Sequence, residues 1–168
     1  FHKISYEDLE LSMINKRRNE SSHLQSDLQY YKSFMEWGMD GEANAFLEEV
    51  LIWLSENLPL NPNPKKLCWG DSRIGNVLFE DFQVKSLLDW EMATIGDPLC
   101  DLAWGLTTDD VSSYGLNIEK LAGSISNEEA IKFWEKNTGY SADNFFYYRI
   151  LCLFKFSVIM IRVAKKLI

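Results

Sequence analysis

Three short stretches decide how this chain is read: Trp69-Gly70-Asp71-Ser72-Arg73-Ile74-Gly75-Asn76, then Leu88-Asp89-Trp90-Glu91, then Gly96-Asp97-Pro98-Leu99-Cys100-Asp101-Leu102-Ala103. Between the first two lie two apolar runs, Val77 to Phe79 and Val84 to Leu88, separated by Glu80 to Gln83. That pattern predicts a β-hairpin with a turn at Glu80 to Gln83. A hairpin folds its two ends together, so Asp71, Asn76 and Asp89 are expected to converge. Two carboxylates and an amide oxygen are hard donors that suit Mg²⁺, which takes a few protein oxygens and leaves room for phosphate oxygens and water. A further carboxylate beside an acceptor hydroxyl orients it and takes its proton. Such a set is the equipment of phosphoryl transfer, in which positioning and charge neutralisation do most of the work. A metal-dependent hydrolase also uses paired carboxylates, but Asn76 and the order around the hairpin argue against one.

Upstream of this core the chain reads as helical. Ser5 to Asp8 has the form of a capping box, predicting a short helix from about Tyr6 to Ile14. Asn15 to Ser22 is polar and reads as a loop. Leu24, Leu28, Tyr31 and Met35 recur at helical spacing, placing a helix near Ser22 to Trp37 that Gly38 to Gly41 breaks. Ala43, Phe46, Leu47, Val50, Leu51 and Leu54 form an i, i+3, i+4, i+7 stripe. The prolines from Pro59 to Pro64 then force an extended connector. Leu67 to Trp69 reads as a short strand running into the first motif.

Downstream, Asp97 is placed as the N-cap and Pro98 as the first residue of a helix continuing through Leu99 to Leu106. Asp109 to Ser126 is mixed in character and reads as a loop. Ser126 to Glu129 is a second capping box, opening a helix to about Asn137 that Thr138-Gly139 stops. A last long helix runs from about Ala142 to Lys166. Its most apolar part, Phe145 to Val163, is interrupted by Arg149, Lys155 and Arg162, so it reads as a buried core helix rather than a membrane span.

Composition narrows the classes. The 168 residues carry 25 acidic and 17 basic side chains, for a formal net charge of −8, with 46 % hydrophobic and 14 % aromatic content. This is a globular chain of one domain's size, without general attraction for nucleic acid or an anionic membrane. Cys68, Cys100 and Cys152 are odd in number and spaced too widely for a metal knuckle, and His2 and His23 lie far from them in sequence. Reduced, buried thiols and a cytoplasmic setting are the expectation.

The order Gly-Asp-x4-Asn, hairpin, Asp-Trp-Glu, Gly-Asp-Pro-x2-Asp-Leu-Ala resembles the catalytic core of the aminoglycoside phosphotransferase and choline kinase family, and most closely its acyl-CoA-dehydrogenase-associated branch. The resemblance implies an α+β, mainly helical fold: the C-terminal lobe of the protein-kinase-like fold with a small central β-hairpin. It implies transfer of the γ-phosphate of ATP, with Mg²⁺, to a hydroxyl of a small molecule. Asp71 would be the catalytic base, and Asn76 and Asp89 would hold the metal on the nucleotide phosphates. Asp101 would brace the catalytic loop, and Ser72, Arg73 and Glu91 would support the loop or touch substrate or phosphate. The family carries His two residues before the base, where this chain has Trp69.

The resemblance also implies an N-terminal nucleotide-binding lobe, and nothing before Asp71 resembles one. Residues 1–168 therefore read as a single domain, the catalytic lobe of a longer chain, beginning at Phe1 rather than Met and inactive alone. Expected partners are a nucleotide, ATP or GTP, the missing lobe and a hydroxylated acceptor. The closest branch suggests a hydroxyacyl-CoA or hydroxy acid, and family breadth admits aminoglycosides, choline and sugars. The contrasting reading is a non-catalytic relative that uses the same groove for binding.

Overall fold

The expected stripe on the last long helix is where the core forms. The computed structural model describes residues 1–9, 11, 14 and 23–167. Five α-helices lie among them: α1 (His23–Met39), α2 (Ala45–Glu56), α3 (Leu99–Gly115), α4 (Asn127–Thr138) and α5 (Phe145–Leu167). Helix α5 is the axis of the packing and lies against α1, α2 and α3. It buries Tyr148, Leu151, Cys152, Phe154 and Val158 against Leu24, Leu28, Tyr31 and Met35 of α1, Leu54 of α2, and Leu99 and Ala103 of α3. Each fully buried side chain of this size contributes about 1.5–3 kcal/mol. Among the described residues no helix is long and apolar enough to cross a membrane.

The helix boundaries follow local chemistry. Asn44 caps α2, its side chain accepting from the Leu47 amide at 3.1 Å. Ser126 and Glu129 form the expected capping box at the start of α4, and Gly139 ends it in the left-handed conformation at φ 75°. Helix α1 runs two residues past Trp37, carrying Gly38 inside it, and stops where Asp40 and Gly41 take positive φ.

Several expectations are corrected. At the start of the expected Tyr6 to Ile14 helix stands a 3-10 turn, Tyr6–Asp8, and Ser5 makes no cap; its hydroxyl donates to Glu7 at 3.0 Å, and part of the remaining span lies outside the described residues. The loop at Asn15 to Ser22 lies outside the described residues. Phe46 points outward and is 70 % exposed, because the buried stripe of α2 is Leu47 and Leu54, with Val50 and Leu51 half-buried.

The hairpin is present as β2 (Val77–Glu80) and β3 (Gln83–Leu87), turning at Asp81 and Phe82, which both have positive φ. Paired positive-φ residues are the geometry of a two-residue hairpin turn. A second two-stranded antiparallel sheet is an addition: β1 (Lys66–Cys68) pairs with β4 (Thr94–Gly96), Leu67 opposite Ile95. The two sheets together bring residues 66–96 back on themselves, with both polar motifs at one end.

Helix α3 is the largest correction, since it continues to Gly115 through the first part of the Asp109 to Ser126 stretch read as a loop, while residues 116–126 are loop as expected. Its polar residues Thr107, Thr108 and Asp110 are buried. Thr108 Oγ1 donates to the Trp104 carbonyl within the helix at 2.8 Å. Asp110 accepts from Lys120 at 2.8 Å, Asn127 at 2.8 Å and Arg149 at 2.9 Å. A buried charge satisfied by distant partners, as Asp110 is, breaks the sequence period that would announce the helix.

Burial pushes the Asp110 carboxyl up, but the Lys120 and Asn127 hydrogen bonds and the Lys120 and Arg149 charges hold it below its ordinary value of 3.8. A depressed folded-state pKa contributes stability that is complete above the unfolded value and is lost as pH falls through the folded one. Asp110→Asn is therefore expected to be less stable than the parent sequence at pH 7 by about 1–3 kcal/mol. The gap should close toward about pH 2. Urea unfolding followed across that range checks it, and a gap independent of pH would contradict it.

Candidate active site

Two carboxylates near the start of α3 organise everything upstream. Asp97 is fully buried. Its side chain caps the helix by accepting from Leu99 N at 2.8 Å, and it also accepts from Asn63 N at 2.8 Å and the Tyr148 hydroxyl at 3.1 Å. The residue expected as N-cap thus caps, while regular helix begins at Leu99, one residue beyond Pro98. Through Asn63 it also ties the Pro-rich connector to the helix bundle.

Asp101 does the same for the motif loop. Its two oxygens accept from the backbone amides of Trp69 and Gly70, each at 2.8 Å. Its own carbonyl accepts from Ser72 Oγ at 2.6 Å. His2 adds a ring nitrogen at 2.8 Å from Asp101 Oδ2. His2, far from the cysteines in sequence, stands with Cys68 and Asp101 within 4.8 Å in space. Burial first, and then the Asp101 charge, push the Cys68 thiol up, and His2 and the two backbone amides brace the Asp101 carboxylate.

Two glycines let the loop sit so close. Gly70 has φ +92°, and a Cβ there would stand 2.2 Å from the Met92 carbonyl oxygen. A Cβ on Gly105 of α3 would stand 2.7 Å from the Ser72 carbonyl oxygen. The loop is therefore pressed against the helix on one side and against the segment after β3 on the other.

Held in this way, Asp71 is buried and fully engaged. Its Oδ1 accepts from Trp104 Nε1 at 2.7 Å, and its Oδ2 from Asn76 Nδ2 at 2.7 Å and Arg73 Nε at 3.0 Å. The hairpin closes as expected: Leu88 N donates to the Asn76 carbonyl at 2.8 Å, and Trp69 Nε1 donates to the Leu88 carbonyl at 2.7 Å. Trp69, standing where the resemblance leads one to expect His, thus ties the loop to the end of β3. Asp89 follows with φ 59°.

Asp71, Arg73, Asp89 and Glu91 all line one cavity of about 650 Å³. The remaining wall is largely aromatic and aliphatic, with Tyr31, Phe34 and Trp104 opposite Phe156 and Ile159. Of the sequence-derived residues, Asp71, Arg73, Asp89 and Glu91 line this cavity, and Asn76 is buried behind it against Asp71. Ser72 and Asp101 lie behind the loop as its support. Trp104 is the addition, and its bond to Asp71 reveals it. Asn76 spends its amide nitrogen on Asp71, which leaves the amide oxygen for a cation. That oxygen and the Asp89 carboxylate are hard donors of the kind Mg²⁺ takes.

The comparisons agree with this geometry. The model of the phosphotransferase enzyme family (APH) matches residues 1–134, and the chain belongs to that family. Acyl-CoA dehydrogenase family member 11 of Pongo abelii is 33 % identical over 120 residues, covering 65 % of this chain and 15 % of the relative. The Homo sapiens protein of that name is 44 % identical over 59 residues, 34 % of this chain and 8 % of its own length. The chain thus spans a small part of the curated relatives it matches. A Ralstonia eutropha crystal structure, described as of an aminoglycoside phosphotransferase, superposes with a TM-score of 0.73 at 18 % identity, covering 98 % of this chain and 52 % of the other. The fold is the kinase-like one, and the family is that of the phosphotransferase enzymes.

Gly70→Ala tests the pressed loop. It forces both a left-handed alanine and a backbone overlap, with an expected cost of about 2–4 kcal/mol. Denaturant unfolding measures the cost, and faster hydrogen exchange at the Trp69 and Gly70 amides locates it. A stability change within about 0.5 kcal/mol, the size of a neutral surface substitution, would show that the loop has room to move.

Proposed function

We propose that this member of the phosphotransferase enzyme family transfers the γ-phosphate of ATP to a hydroxyl group of a small molecule bound in the cavity beside Asp71. The observation that carries the reading is that Asp71, held by three donors of which one is Asn76, lines one cavity together with Asp89. Asp71 accepts the hydrogen bond of the acceptor hydroxyl and aims its oxygen at the γ-phosphorus. As the new O–P bond forms and the bond to the β–γ bridging oxygen breaks, the hydroxyl proton passes to the Asp71 carboxylate and ADP leaves. Asn76 Oδ1 and the Asp89 carboxylate would hold Mg²⁺, which supplies neutralisation of the phosphate charge when bound. Glu91 lies on the same rim.

Arg73 is placed for a change of partner. Its side chain is half exposed and touches Asp71 through Nε. An exposed guanidinium loses little by exchanging one carboxylate for a phosphate. Its movement would open Asp71 Oδ2 to the acceptor and put a positive charge beside the transferring group. The full set of polar groups is retained here, which supports catalysis over the contrasting binding-only reading.

The nucleotide needs a second surface. The structural neighbour is about twice as long as the matched region, and the hairpin presents Leu78, Phe79, Phe82 and Val84 outward. We assign the clamp on the nucleotide to a preceding lobe seated over this face. The 168 residues alone are then expected to bind ATP weakly and to turn over little.

The test is phosphate transfer by the longer parent chain with Mg·ATP over a panel of hydroxy acids, hydroxyacyl-CoAs, aminoglycosides, choline and sugars. Transfer to one class is expected, with kcat lowered about 10²–10⁴-fold by Asp71→Asn and activity abolished by a chelator. An active parent indifferent to Asp71→Asn would remove Asp71 as the base. Full activity from the 168 residues alone would remove the need for a second lobe.

A further inference from the structure

Trp104 packs in the core and lines the cavity, yet neither accounts for the direction of its indole N–H. It is 4 % exposed, and its indole N–H is directed at the one carboxylate on which the proposed chemistry depends. We infer that Trp104 is a positioning residue for Asp71: it fixes the rotamer of the base by occupying Oδ1, so that Oδ2 is the oxygen that meets the acceptor hydroxyl. The inference rests on the reading of Asp71 as base.

Four observations carry it. First, the bond is short, 2.7 Å from Nε1 to Oδ1, and buried. Second, the indole nitrogen only donates and does not titrate. It can therefore hold the carboxylate through the whole reaction without competing for the transferred proton. Third, the donors on Oδ2 are of a different kind: Arg73 is half exposed and exchangeable, while Asn76 is buried. Oδ2 is thus the oxygen that can be vacated.

Fourth, the indole itself cannot swing. The Lys155 ammonium, on a residue 6 % exposed, lies 5.6 Å from the Trp104 ring centroid and 4.7 Å from that of Tyr31. Phe156 meets the indole edge-on at 6.4 Å. A desolvated cation over an indole face is a strong orienting contact.

The helix explains why this works as a unit. Asp101, Trp104 and Gly105 stand at i, i+3 and i+4 of α3 and so share one face. Asp101 holds the amides of the two residues before the base, Trp104 holds its side chain, and Gly105 admits the carbonyl of the residue after it. Backbone and side chain of the base are thus referred to a single rigid element.

The test replaces only the N–H. In the longer parent, Trp104→Phe keeps an aromatic ring facing Lys155 and removes the donor. Expected is a loss of about 10–100-fold in kcat, with acceptor KM changed less than about threefold. In an Asp71→Asn background the same substitution should add nothing further, since the two act as one unit. A second readout needs no turnover. In ¹⁵N-labelled 168-residue protein, Asp71→Ala should move the Trp104 indole proton upfield and speed its exchange by about tenfold or more. Trp104→Phe leaving kcat within about twofold, with Asp71→Asn inactive, would overturn the positioning role while leaving the base in place. Asp71→Asn retaining turnover would overturn both. An indole proton indifferent to Asp71→Ala would overturn the bond itself.

Discussion

The carboxylate of Asp101 is the constraint on which the site depends. An unpaired backbone N–H in a buried loop costs about 1–3 kcal/mol, and a loop that turns sharply through a positive-φ glycine cannot pair its amides within itself. Asp101 takes the Trp69 and Gly70 amides at once, with His2 on the same carboxylate. The loop is then as fixed as helix α3. Asp71 follows one residue later and has little freedom left in its backbone, so its side chain can be aimed by a single further contact. Cys68 packs beneath this point, and its own thiol faces the Asp97 carbonyl at 3.5 Å.

Four aspartates of identical chemistry are divided between structure and site by their surroundings. Asp97 and Asp101 stand four residues apart and are saturated by main-chain and hydroxyl or ring donors, with no route to a ligand. Asp71 is saturated too, but one of its partners is the exposed Arg73, and the carboxylate lines the cavity. Asp89 lines the cavity as well, raised into it by a left-handed backbone. Side chains of aspartate tolerate that conformation better than most. Residue type alone does not separate the two pairs. Their donors do.

Much of this was legible in the sequence because it rests on local rules. The hairpin with its turn, the capping box at Ser126, the stop at Gly139 and the core stripe of Leu24, Leu28, Tyr31 and Met35 are all read at spacings of a few residues. The closing of the hairpin at Asn76 and Leu88, next to Asp89, followed from the strand pattern. What escaped depends on distant partners. Strand β4 is three residues long and exists through its pairing with β1, which lies 26 or more residues earlier. The second half of α3 hides Asp110 against Lys120, Asn127 and Arg149. Trp104 is an apolar helix position until Asp71 is brought to it across 33 residues. The family resemblance supplied roles for the motif residues but said nothing of Trp104 or of His2.

The hairpin does more than bring two motifs together; it sets their spacing. Val77 pairs with Leu87, so the next register position places Asn76 opposite Leu88, and the hydrogen bond from Leu88 N to the Asn76 carbonyl confirms that the ladder reaches that far. Asp89 is the first residue beyond it. The interval from Asn76 to Asp89 is therefore fixed by a two-residue turn, a bulge between Leu78 and Phe79, and the strand lengths between. Because side chains alternate along a strand, a slip of one residue would turn Asp89 away from the cavity. The exposed strands need little burial of their own to enforce this, since the Trp69 indole bonded to the Leu88 carbonyl and the β1–β4 pair clamp both ends. A small and largely solvent-facing hairpin can thus act as the ruler of the site while the helices beneath it carry the stability.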